Sequence, residues 1–255
     1  MLKRVQHDIT LFITHNSQLT IKAIAFTLAE TLIVMAVIGV VSALTLPNLN
    51  SSTGDKERVA KVKKIYQNLN DALGRAEAVY GPFDEWFVND GNDDTKKTTR
   101  LAERMLEFMK VSKNCGMNTG CFSNLPLTYA NGDIYENNYD ASLSQCYRVI
   151  LTDGISLGFQ IGTHHNDTTK FNTRFRVDID GPNKGQTRTG YDIFDFSIDS
   201  NTKQIIPSAF PDYWTGNVPN LNTTWGYHTA WVIKNDNMDY IKCRDLNWET
   251  KTTCK

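Results

Sequence analysis

The stretch Phe26–Leu46, FTLAETLIVMAVIGVVSALTL, constrains this chain more than any other feature: it is 21 residues long and carries one charge, Glu30. A helix rises about 1.5 Å per residue, so a run of this length reaches across the roughly 30 Å hydrocarbon core of a bilayer. The segment 1–25 ahead of it carries Lys3, Arg4 and Lys22 against the single acid Asp8. Positive charge stays on the cytoplasmic side of a membrane, which predicts that the remainder of the chain lies outside. A secretory signal peptide has a shorter apolar core, about 7–15 residues, followed by a small-residue cleavage site, for which Ser42 and Ala43 are the candidates. A plain signal anchor needs no acid. An ionisable group in a membrane segment costs roughly 2.5–3.5 kcal/mol on insertion scales, so Glu30 calls for a role.

The residues around that acid resemble the prepilin N-terminal cleavage and methylation motif of type IV pilins and type II secretion pseudopilins. In that family a basic leader ends in a small residue, usually glycine, and a peptidase cuts before a phenylalanine that becomes the methylated N-terminus. Ala25 and Phe26 occupy those places, with alanine standing for glycine and a leader that is long for the family. The family's glutamate is the fifth residue after the cut, where Glu30 stands, and its helix-bending proline is the twenty-second, where Pro47 stands. The resemblance implies a leader at 1–25, a transmembrane helix at 26–46, an amphipathic continuation at 47–80 and an extracytoplasmic pilin-like domain at 81–255. It implies a non-enzymatic structural subunit of a type IV pilus or type II secretion pseudopilus, single-pass in the bacterial inner membrane before it enters the filament. The implied partners are prepilin peptidase, other pilin or pseudopilin subunits and an inner-membrane assembly platform. Glu30 has a physical task in this setting: its carboxylate can neutralise the new amine at Phe26, its own or a neighbour's, inside a low-dielectric helix bundle. The competing reading is a membrane-tethered extracytoplasmic binding module that does not polymerise.

Behind the anchor, Lys56 to Tyr80 places Val59, Val62, Ile65, Tyr66, Leu69, Ala72, Leu73, Ala76, Val79 and Tyr80 at steps of three and four. That spacing predicts a helix with one apolar face, ended by Gly81-Pro82. A second helix is predicted from Thr98 to Val111. Short β-favouring runs follow between turn signals, at Tyr147–Leu151, Ser156–Ile161, Phe175–Ile179, Ile193–Ile198 and Trp231–Lys234. The fold class is therefore α+β: a long N-terminal helix packed on a small antiparallel sheet. Asp195, alternating with Phe194 and Phe196, is expected on a solvated strand face.

Chemistry-bearing residues are few. The 255 residues are 40% hydrophobic and 22% charged with a formal net charge of -1, so no basic surplus points to nucleic acid. Asp178, Asp180, Asn183 and Asp192 offer hard oxygen ligands on a turning loop, a candidate calcium site, although Asp and Asn are also ordinary turn formers. Five cysteines suit an oxidising compartment. Cys243 and Cys254 enclose a short C-terminal loop like the disulfide-bounded region of many type IV pilins, and one pair is expected among Cys115, Cys121 and Cys146. His164-His165 reads as a polar loop and Ser156 lacks the nucleophile-elbow spacing. No Walker A, G-x-G-x-x-G or H-E-x-x-H motif occurs. The late aromatics, among them Tyr213, Trp214, Trp225, Trp231, Tyr240 and Trp248, are expected mainly as core and interface area.

Overall fold

The computed structural model describes residues 28–164, 167–199, 201–208 and 227–254, with their side chains except those of 43–52, 163–171 and 227. The chain divides between Asn50 and Ser51 into two compact units. Helix α1, Leu28–Tyr80, is assigned through Pro47 and Gly54 and contributes to both.

The second unit is α+β, built on a six-stranded antiparallel sheet. Its strands are β1 (Val111–Gly116), β4 (Tyr147–Leu151), β5 (Ser156–His164), β6 (Asp167–Asp178), β7 (Ile193–Ile198) and β8 (Ile205–Pro207), in that spatial order. A separate two-stranded hairpin is formed by β2 (Leu127–Thr128) and β3 (Ile134–Glu136). Among its described residues the unit also holds the α-helices α2 (Asp94–Leu106), α3 (Tyr139–Ser142) and α4 (Tyr227–Asn235).

Strand register explains how both sheet faces are used. One row across the sheet runs Val149, Leu157, Val177, Phe194, and the next runs Arg148, Gly158, Arg176, Asp195. Successive residues of a strand point to opposite faces, so these rows face opposite ways. The apolar row joins Phe159, Phe175 and Phe196 in a core with Val59, Val62, Ile65, Leu69, Ala72, Leu73 and Ala76 of α1, all buried. Each fully buried Leu or Ile contributes about 1.5–3 kcal/mol, so this stripe is the main attachment of α1 to its unit. Ion pairs flank it: Lys61 to Asp180 at 3.0 Å, Lys64 to Asp153 at 2.8 Å and Lys63 to Asp236 at 2.6 Å. Gly81, in the left-handed region at φ +80°, ends the helix by donating its N–H to the Glu77 carbonyl at 3.0 Å.

The polar row lies beneath the excursion from β1 to β4, which forms its own small core from Phe122, Leu127, Tyr139, Leu143 and Cys146. A side chain at Gly158 would meet the Phe122 ring at 3.4 Å, so glycine lets that ring lie on the strand. Arg148, buried to 1% exposure, closes the excursion. Its guanidinium donates to the carbonyls of Cys146, Asp140, Leu143 and Met117 at 3.2, 2.8, 2.7 and 3.1 Å, and to the Asp140 carboxylate at 3.1 Å. A buried cation is tolerated when its donors are this fully engaged.

Several expectations require correction. Trp231–Lys234 is not a strand but the second half of α4, because Trp231 is fully buried and stacks edge-on with Tyr240 and Trp248. Tertiary packing decides the state of a short apolar run. The second helix starts earlier, where the Asp93 side chain caps it by accepting the Lys96 N–H at 3.0 Å, and ends at Leu106, leaving Val111 to open β1. Asp195 is 4% exposed, opposite Arg176 on a face that is covered. Val79, placed by spacing on the apolar stripe, is 62% exposed.

Candidate functional site

The cleavage residues Ala25 and Phe26 lie outside the described residues, as does the side chain of Pro47. Glu30 stands in the first turn of α1. Around it and beyond, apolar side chains are exposed on every side of the helix: Leu28 81%, Leu32 62%, Ile33 64%, Met35 72% and Val40 61%. Thr31 turns its hydroxyl back onto the Leu28 carbonyl at 2.9 Å, so even this polar group is satisfied within the helix. Among the described residues no helix is long and apolar enough to cross a membrane; the run read from the sequence begins at Phe26, outside them. A helix apolar all round and exposed has no stable place in water by itself.

The loop read as a calcium site has its carboxylates otherwise engaged. Asp192 Oδ2 accepts the N–H groups of Gln186 and Thr187 at 2.5 and 2.9 Å, and Oδ1 that of Arg188 at 2.5 Å. Asp180 takes the Lys61 ammonium. Asp178 Oδ1 accepts from the N–H of Asp180 and of Gly181 at 3.1 and 3.0 Å. Burial pushes the Asp178 carboxyl well above the ordinary carboxylate range, and the neighbouring Asp192 adds to this. Burial also raises Asp192, against its three N–H donors. Asn183 is exposed on the same loop. Among the described residues no three His, Cys, Asp or Glu side chains are grouped to hold a metal ion. What they do is fix the backbone from Asp178 to Asp192.

The cysteines form two disulfides, Cys115–Cys121 and Cys243–Cys254, with S–S distances of 2.02 and 2.03 Å. Cys146 is a buried free thiol, and burial raises its pKa, which keeps it protonated and unreactive. Trp231, Tyr240 and Trp248 are buried core residues; Tyr213, Trp214 and Trp225 lie outside the described residues. Spacing gave no warning of Arg148 and Asp140, because a buried cation reads as a surface residue until the carbonyls around it are known.

No family model, no curated protein and no solved structure matches this chain.

Proposed function

We propose that the chain is a pilin-like assembly subunit, a pseudopilin or minor pilin, anchored by the first part of α1 in the bacterial inner membrane and drawn from it into a type IV pilus or type II secretion pseudopilus. The role is structural and non-enzymatic. The observation that carries the reading is a single helix with two kinds of surface. From Leu28 to Val41 its large apolar side chains are exposed, whereas from Val59 to Ala76 only one stripe is buried. The first surface suits lipid before assembly and neighbouring helices after it; the second holds the helix to its own folded unit. Glu30 lies at the start of the first surface, where its carboxylate pairs with an N-terminal amine at Phe26 once the leader is removed. Prepilin peptidase, sister subunits and an inner-membrane assembly platform are the partners this role requires.

The test is the N-terminal sequence and mass of the mature chain from membranes of its own host, with and without the prepilin peptidase. The expected result is a start at N-methylated Phe26 that depends on that peptidase. A retained Met1, or a cut after Ala43, overturns the proposal. A Glu30→Gln variant adds a second readout: it is expected to be processed and folded yet absent from sheared filaments.

A further inference from the structure

A cleft of about 400 Å³ opens in the second unit where three separate stretches meet: the turn between β2 and β3, the loop ahead of β7, and the turn leading into Cys243. Its charged lining is cationic, with Arg188, Lys242 and Arg244, and no Asp or Glu lines it among the described residues. Asp55 is nearby, pairing with Lys242 at 2.6 Å and with Arg58 at 3.5 Å. Arg58 in turn lies over the Tyr191 ring at 4.0 Å. One carboxylate is thus shared by two cations, and the cleft keeps a positive surplus.

The walls are fixed before any ligand arrives. The three N–H groups held by Asp192 set the loop, and Thr189 joins it to the hairpin by donating its N–H to the Thr128 carbonyl at 2.9 Å. Arg188 also donates to the Ala130 carbonyl, which ties its guanidinium to the facing turn, and both residues line the cleft. The Tyr240 hydroxyl, buried, donates to the Gly190 carbonyl at 2.6 Å and ties the third wall to the second. The Cys243–Cys254 disulfide staples that third wall. Gly190 is needed here: it sits at φ +71°, and a Cβ there would overlap the His228 ring. Thr189 is 3% exposed, lines the cleft, and its hydroxyl has no hydrogen-bond partner among the described residues. A buried hydroxyl without a partner costs free energy unless something supplies one.

We propose that this cleft is a binding site for a phosphate monoester, with Arg188 and Lys242 as charge partners and the Thr189 hydroxyl donating to a phosphate oxygen. Guanidinium and ammonium donors, a hydroxyl and preorganised walls are what such an anion needs, and the cleft has room for a small organic group behind it. The site does not depend on whether the chain assembles.

Calorimetric titration of glycerol 3-phosphate into the full chain, in uncharged detergent micelles at low salt, tests this. Saturable binding is expected, weakened about tenfold or more by Lys242→Gln and by Arg188→Gln, and weakened as salt is raised. Arg75→Gln, which removes an exposed cation elsewhere, is expected to leave it unchanged, and the thermal midpoint of each variant shows that it is folded. Micelles doped with phosphatidic acid, whose headgroup is itself a phosphate monoester, separate two sources of the same chemistry: competition assigns the site to a lipid headgroup, and its absence to a soluble ester. No saturable heat with wild type, or equal affinity in wild type and a folded Lys242→Gln, overturns the proposal.

Discussion

Leu32 and Leu69 are both leucines of α1, yet the first is 62% exposed and the second is fully buried. Helix propensity does not distinguish them. The neighbours at steps of three and four do: around Leu69 they alternate with Gln67, Asn68 and Asp71, so one stripe can be buried and the remainder hydrated, whereas around Leu32 nearly every position is apolar. A stripe needs one partner surface and has it in the sheet. A helix apolar all round needs a surrounding, and that requirement carries the functional reading.

The comparison can be broken most forcefully by charge. Ile65→Asp places a carboxylate in the core between α1 and the sheet and is expected to cost about 4 kcal/mol or more, unfolding the second unit. Ile38→Asp, at a side chain 55% exposed, is expected to leave the thermal midpoint of that unit unmoved while abolishing recovery of the chain in the membrane fraction. Equal loss of tryptophan-monitored stability in both variants would erase the distinction between the two parts of α1.

Truncation sharpens it at an intermediate scale. Leu69→Ala is expected to lower stability by about 2–5 kcal/mol in denaturant titrations of the full chain in uncharged detergent. Leu32→Ala is expected to change it by less than about 0.5 kcal/mol in the same titration.

The smallest effect lies at the polar margin of the stripe. Burial pulls the Lys61 ammonium down, but the hydrogen bonds and charges of Asp180 and Glu57 outweigh it, so its pKa is raised above the ordinary lysine value. A raised cation contributes stability that is complete below the unfolded pKa and lost as pH rises through the folded one. Lys61→Gln is therefore expected to cost no more than about 1 kcal/mol at pH 7, and the difference from wild type is expected to shrink in strongly alkaline buffer, above about pH 10.4. A cost that stays the same across that range would assign the contact to packing rather than charge.

Much of this arrangement was legible from spacing. The buried stripe of α1 and the ends of β4 and β7 follow from periodicity and from the Gly and Asp turns that bound them, and Cys243 pairs with Cys254 as the family likeness implied. Local pattern failed where a distant contact decides the outcome. The apolar run around Trp231 carries a β-like composition, and only Tyr240 and Trp248 make it a helix. Asp195 looked solvated because nothing in its strand announces the excursion that covers that face. The cleft was invisible for the same reason: Ala130, Arg188 and Lys242 come from stretches more than fifty residues apart.

Arg148 has one more consequence. By gripping the carbonyls of Met117, Asp140, Leu143 and Cys146, it sets the contour length of two parts of the excursion, on either side of the β2–β3 hairpin. A residue added or removed next to those carbonyls would slide an acceptor out of reach of the guanidinium. The exposed turn from Asn131 to Asp133 touches none of them, so a residue added there leaves the guanidinium's grip intact while altering one wall of the cleft.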